Sequence, residues 1–338
     1  MRTNSNGAHS APYTTAQQGY EAKHRRASIL LSVMLLFFTT LLFTSLAGAT
    51  EEGTIAVIYP DIGEPYRDVF AKIIEGIESE VGAKIDNYPV RADTAISKVK
   101  ASLLNQHTKV VIALGRQGMQ MATALGNGIG VVAGGVLTVR ENEVLTQRII
   151  SLAPDPAMLF ARMKKLMPTT QRIFVVYDPG LNGWLIKLAK EAAHTQGLEL
   201  VTYEAHDLHS ALRFYQQIFA AADSRSDALW LPQDSVTAEE NSILPLVLQT
   251  TWDQGLAVFS SNVGHVRRGV LFSLYPDNVA LGKSLADLAQ NVLLTGDMGK
   301  HAMIPLRDVQ SAVNLRTAQH LGINPDRLEG FALTLPEQ

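Results

Sequence analysis

The 338-residue chain contains no cysteine. That excludes a disulfide framework, a thiol nucleophile, thiolate metal ligation and a lipid joined through an N-terminal cysteine. Lys and Arg do not gather beyond short pairs such as Arg267-Arg268 after the first 49 residues, and a nucleic-acid partner needs clustered cations, so none is expected. No Gly-x-Ser-x-Gly elbow is present. His206 and His209, with Glu204 and Asp207 beside them, have a spacing open to a metal but lack a third spaced ligand, and they read as surface. The Gly126-Asn127-Gly128-Ile129-Gly130 stretch follows a helix and precedes a strand, the reverse of a dinucleotide fingerprint, and reads as a turn. Catalysis has no visible carrier, and no metal or cofactor is expected.

What the chain does have is one long apolar run. Lys23, His24, Arg25 and Arg26 precede Ile29 to Leu46, and Ala47-Gly48-Ala49 follows, which are the three parts of an export signal with a cut after Ala49. The rival reading is a retained anchor, since about 20 apolar residues span a bilayer. Thr39, Thr40, Thr44 and Ser45 lower the hydrophobicity and favour cleavage. Removing residues 1–49 takes away four basic residues and one acidic residue and moves the formal charge from −3 to −6. About 289 residues remain, enough for two domains.

From Thr54 onward, short β-branched runs alternate with amphipathic segments, the mark of parallel sheets with crossover helices. Strands are predicted at Ile55–Tyr59, Ala83–Tyr88, Val110–Leu114 and Ile129–Ala133, with helices at Tyr66–Val81, Asp93–Gln106 and Gln117–Leu125. A second series begins after Ser151-Leu152-Ala153-Pro154. Its strands are predicted at Ile173–Tyr177, Leu198–Tyr203, Ala228–Leu231 and Ala257–Ser260, with helices near Pro156–Leu166, Gly183–Gln196, Leu208–Ala222 and Glu239–Gln254. Two α/β lobes result, and ligands of open α/β sheets bind at the carboxyl edge of the strands. The polar loops at that edge supply the candidate residues: Tyr66; Gly115, Arg116 and Gln117; Asp178 and Asn182; Asp234 and Ser235; Ser261 and Asn262.

The tail Val313-Asn314-Leu315-Arg316-Thr317-Ala318-Gln319-His320-Leu321-Gly322-Ile323 resembles the C-terminal signature of the periplasmic substrate-binding proteins of ABC importers, in the tryptophan/tyrosine-type group. Leu229-Trp230-Leu231-Pro232-Gln233-Asp234-Ser235 and Val266-Arg267-Arg268-Gly269-Val270-Leu271, with Ser273, Asp277 and Leu281-Gly282, follow the same pattern. The resemblance implies two Rossmann-like lobes with parallel sheets, joined by a hinge, in the type I periplasmic binding arrangement. Lobe 1 is taken as 53–150 with about 262–298, and lobe 2 as 151–261 with about 299–335. It also implies a small ligand, often an aromatic amino acid, held in the cleft and presented to an inner-membrane ABC permease. A sensor or scaffold of the same fold, engaging a membrane signalling protein, is the alternative.

The chain departs from that pattern at several places. Arg116-Gln117-Gly118 stands where the family has Thr or Ser and then Pro, Val263 stands where it has an acid, and Leu137-Thr138-Val139-Arg140 replaces an Asp-Pro loop. Those losses weaken the case for a ligand ammonium, whereas Arg116 suits an anionic ligand. Arg116 is either that clamp or a solvated residue at a helix start. Asp178 and Asp234 either bind ligand or cap the helices that follow them. Among the aromatics, Tyr66 and Trp184 read more readily as core than as stacking groups, Tyr275 beside the hinge is the stacking candidate, and Trp230 reads as packed.

Overall fold

The computed structural model describes residues 54–126, 128–139, 148–297 and 302–336. The export segment at 1–49, Asn127 of the glycine-rich turn and Arg140 lie outside them. In lobe 1 the chain runs β1 (Thr54–Pro60), α1 (Tyr66–Val81), β2 (Asp86–Val90), α2 (Ile96–Asn105), β3 (Thr108–Leu114), α3 (Gly115–Ala124), β4 (Gly130–Val136) and β5 (Arg148–Pro154). The strands pair in the order β2-β1-β3-β4-β5, all parallel. Alternate residues of β1 face opposite sides of this sheet. Ile55 and Val57 join one core with α1, while Ala56 and Ile58 join another with α2 and α3. Burial on both faces explains why these strands read as unbroken apolar runs. Pro89 is tolerated because β2 is an edge strand.

Lobe 2 repeats the plan with α4 (Pro156–Leu166), β6 (Arg172–Tyr177), α5 (Pro179–Thr195), β7 (Glu199–Glu204), α6 (Leu208–Ala221), β8 (Asp227–Leu231), α7 (Ile243–Gln254), β9 (Ala257–Ser260), the short α8 (Gly264–Arg267) and β10 (Phe272–Pro276). Its strand order is β7-β6-β8-β9-β10. Trp230 on β8 is fully buried, edge-on to Phe160 at 5.6 Å, and its indole N–H donates to Ser261 Oγ at 3.0 Å. Helix starts here are fixed by side chains: Asp155 caps α4, Asp178 caps α5 and Asp207 caps α6 in a capping box with Ser210.

The remaining elements are α9 (Asn278–Thr295), β11 (Ala302–Leu306), β12 (Val309–Asn314), α10 (Leu315–His320), a 3-10 turn (Pro325–Leu328) and β13 (Leu333–Leu335). They divide between the lobes differently from the sequence expectation. Within 262–298, expected with lobe 1, β10 is a strand of the lobe 2 sheet, because Phe272 stacks on Phe259 with ring centroids 5.2 Å apart. Only α9 from that stretch packs on lobe 1, through Leu281, Leu285 and Ala289 against Ile73 and Ile77. Gly76 of α1 and Gly282 of α9 face each other's helix backbone with no room for a Cβ, which sets the close crossing of these helices. Conversely β11, expected with lobe 2, pairs parallel to β5 in the lobe 1 sheet, and β12 then joins β10 antiparallel.

The chain therefore crosses between lobes three times: after β5, after β10 and after β11. These crossings are tied side by side. The Asp155 amide donates to the Leu306 carbonyl at 2.8 Å, the Asp277 amide donates to the Asp308 carbonyl at 2.9 Å, and Arg307 Nε lies 3.0 Å from Asp155 Oδ2. Among the described residues no helix is long and apolar enough to cross a membrane.

Candidate functional site

In each sheet the strand order reverses beside its first strand, between β1 and β3 in lobe 1 and between β6 and β8 in lobe 2. Loops leave such a point in opposite directions and open a crevice at the strands' carboxyl ends. The crevices form one cavity of about 810 Å³, lined by Arg116 and Gly135–Thr138 from lobe 1 and by Asn182, Gln233–Ser235, Glu239–Asn241, Asn262 and His265 from lobe 2.

The lobe 1 wall is mostly backbone. Gly115 has φ +67° and turns β3 directly into α3, which no described side chain caps. Gly135 has φ +72°, and a Cβ there would lie 3.2 Å from the Gly115 nitrogen, so the close approach of the two turns calls for glycine at 135. Arg116 projects from this turn into the lining and is exposed. Gln117 does not line the cavity, and its buried Oε1 has no hydrogen-bond partner among the described residues.

The lobe 2 wall is a side-chain network. Asp234 is 4% exposed, and its carboxylate accepts four hydrogen bonds: from the Asp178 amide at 2.8 Å, Asn182 Nδ2 at 2.9 Å, and the Val236 and Thr237 amides at 2.9 Å each. Four bonds fill a carboxylate's acceptor capacity, so Asp234 acts on the cleft by fixing Asn182 and the 233–237 turn. Beneath it the Thr237 hydroxyl donates to the Val176 carbonyl at 3.0 Å, and the buried Tyr215 hydroxyl donates to the Thr237 carbonyl at 2.8 Å. Burial raises the Tyr215 pKa and keeps it a donor.

An acidic pair and one titratable ring of this wall lie outside the sequence candidates. The helix predicted near 239–254 includes Glu239 and Glu240, but α7 opens only at Ile243. The Asn241 and Ser242 amides donate to the Glu239 carboxylate at 2.9 and 2.7 Å, which holds its pKa below the usual range and keeps it anionic. The cap-type pair Asn241-Ser242 just before an apolar run was the available signal. The other group is His265, 3% exposed on α8. Its Nδ1 is 2.9 Å from Ser260 Oγ and its Nε2 is 3.3 Å from Asn262 Nδ2. Ser260 already donates to the Leu231 carbonyl, and Asn262 Oδ1 accepts from the Gly264 amide, so Nδ1 carries the proton and Nε2 accepts. Burial lowers the His265 pKa to about 4, leaving it neutral.

Of the residues singled out from sequence, Arg116, Asn182, Asp234, Ser235 and Asn262 meet around the cavity. The others lie elsewhere. Gly115 sits at the α3 turn, Asp178 Oδ1 accepts from the Gly180 amide at 2.7 Å as the cap of α5, and Ser261 accepts from Trp230. Tyr66 is 63% exposed at the start of α1. The Tyr275 hydroxyl donates to Gln310 Oε1 at 3.0 Å, with burial and then Asp277 raising its pKa. Glu204 accepts from the Tyr177 hydroxyl at 2.7 Å, and Asp207 caps α6.

A search of curated protein sequences gave no match. Among solved structures, the chain is similar to a ligand-free, open substrate-binding protein with adhesive properties from Clostridium difficile, at 16% identity over 83% of this chain and 98% of that one, with a TM-score of 0.57. It is also similar to a conserved domain protein from Vibrio cholerae O1 biovar El Tor, at 18% identity over 84% of this chain and 99% of that one, with a TM-score of 0.50. These likenesses are of fold. The family model for the ABC transporter substrate binding protein matches residues 157–329, just over half of the chain. That span holds nearly the whole lobe 2 wall of the cleft and two of the three crossings, and with it the chain belongs to the ABC transporter substrate-binding protein family, whose members bind substrates and are not enzymes.

Proposed function

We propose that the protein is the extracytoplasmic receptor of an import system, holding a small amino-acid-like ligand, or another small carboxylate, between its lobes and presenting it to an inner-membrane ABC permease. The observation that carries this reading is the opposition of charge across the cleft. Arg116 and the uncapped start of α3 face it from lobe 1, while Glu239 and Glu240 face it from lobe 2. A ligand carboxylate suits the first and an ammonium group the second. The acidic partners missing at Val263 and in the 137–140 loop are thus supplied from another segment. About 810 Å³ accommodates a ligand of amino-acid or dipeptide size, including the aromatic amino acids of the tryptophan/tyrosine-type group.

Asn182, Ser235 and Asn262 then offer hydrogen bonds, with Asp234 as the residue that positions Asn182. Closure would bend the three crossings at Asp155, Asp277 and Arg307, and the ligand's contacts to both walls would favour the closed form. Export through the Lys23–Ala49 signal puts such a receptor where a permease can use it, and an exported form whose intact mass begins at Thr50 is the check on the cut. A thermal-shift screen of the purified protein against amino acids, dipeptides, small carboxylates and nucleosides tests the ligand. An amino acid or small carboxylate should raise Tm in a saturable way. If nothing in the panel binds, the import reading fails and the sensor or scaffold reading replaces it.

A further inference from the structure

Lobe 2 carries a second groove, of about 570 Å³, that shares no lining residue with the cleft. Arg267, Arg268 and Arg316 line it, against a single carboxylate, Asp253. We propose that this groove is a separate binding site for a compact oxyanion, a phosphate or carboxylate group gripped by the guanidiniums. The chain as a whole is net negative at −3, so this concentration of cations is local and not a reflection of a basic surface.

The arginines stand on two turns that are stapled together. Asn314 Nδ2 donates to the Val266 carbonyl at 2.8 Å, the Thr317 hydroxyl donates to the Gly269 carbonyl at 2.8 Å, and the Asn314 amide donates to the Leu271 carbonyl at 2.8 Å. Arg267 and Arg268 on one turn and Arg316 on the other are therefore presented at a fixed spacing. Two of the side chains are themselves steadied. Arg268 donates to the Glu240 carbonyl at 2.8 Å and lies 3.6 Å from its carboxylate. The Arg316 guanidinium sits 5.4 Å from the centre of the Trp252 ring, which also stacks on His320 at 3.7 Å. Asp253 is engaged by Gln249 Nε2, 3.0 Å from both of its oxygens, so the carboxylate within the groove lining already has a donor, while that of Glu240 stands outside the lining. Planar guanidiniums held in this way match the paired oxygens of phosphate and carboxylate, and of the cleft's residues only Glu240 takes part, as the partner of Arg268.

Isothermal titration of the purified protein with inorganic phosphate, and separately with citrate as the carboxylate source, at ionic strength held constant with sodium chloride, decides the matter. One saturable site is expected for at least one of the two anions, weakened at least tenfold in the Arg267→Gln/Arg316→Gln double variant. All three guanidiniums are on exposed residues, so that variant should fold, as a melt in chloride alone would show. Were it to misfold, each single variant should still weaken binding at least threefold. The absence of saturable binding, or binding that the arginine variants retain, overturns the proposal. So does a loss in Arg116→Ala with none in the double variant, because the anion would then sit in the cleft.

Discussion

Across the cleft, lobe 2 meets the ligand space with a mesh of buried hydrogen bonds centred on Asp234 and His265, whereas lobe 1 meets it with glycine backbone, an uncapped helix start and the exposed Arg116. The same strand order underlies both walls. The difference is where the rigidity resides: in lobe 2 in side chains that satisfy one another, in lobe 1 in main-chain turns that exclude side chains. A wall of the first kind loses shape when one residue is removed, while a wall of the second kind tolerates loss of a projecting side chain and changes only what it binds.

The largest effect should come from Asp234→Ala. It strands the Asp178, Val236 and Thr237 amides and Asn182 Nδ2 around a buried void, and unmet buried donors of this kind cost about 4 kcal/mol in all. Urea denaturation should show this loss. A drop below about 1 kcal/mol would mean that water replaces the carboxylate and that the wall is not held by side chains.

His265 gives the next effect, through pH. The unfolded chain binds a proton near the ordinary value of 6.5, but the folded chain does not until about 4, first because burial penalises the cation, with Glu240 opposing and Arg268 adding to the shift. Stability attributable to this group is complete above pH 6.5 and falls as pH drops through the window from 6.5 to 4, by up to about 3 kcal/mol. Melting temperatures across that window should decline less steeply in His265→Gln than in the parent. Parallel curves would show that His265 is hydrated in solution and that the mesh is looser than its hydrogen bonds imply.

The same contrast explains what could be read from the sequence. The bounds of α1 and α4 follow directly from apolar spacing, and strands β1, β3, β4 and β6 to β9 from β-branched runs, because local pattern and burial agree there. Strands β5, β10 and β11 are not among those predicted, and the stretches that hold β10 and β11 are expected in the other lobe, because a sheet's partner is chosen by contacts such as Phe272 on Phe259 that no local pattern encodes. At the site, the loops that end strands were legible, since topology alone sends them to one edge. The roles of Asp234 as an anchor and of Glu239 and His265 as wall residues were not, because they depend on which donors face each carboxylate or ring after folding.

Arg116→Ala should produce the smallest change in stability, within about 0.5 kcal/mol, because the residue is exposed and α3 does not rely on it for a cap. Its effect should appear in binding instead. If the ligand's carboxylate lies against the guanidinium, removing one charge-assisted contact raises Kd about tenfold, equivalent to about 1.4 kcal/mol. Calorimetry with whichever ligand the screen yields measures this, and Arg116→Lys should recover part of the loss by restoring charge without the planar fork. The comparison between walls sharpens if Asp234→Ala lowers stability and affinity together while Arg116→Ala lowers affinity alone. An unchanged Kd in Arg116→Ala would leave the helix amides beside Gly115 and Gly135 as the anion's holders, and lobe 1 would then bind through backbone as well as being built from it.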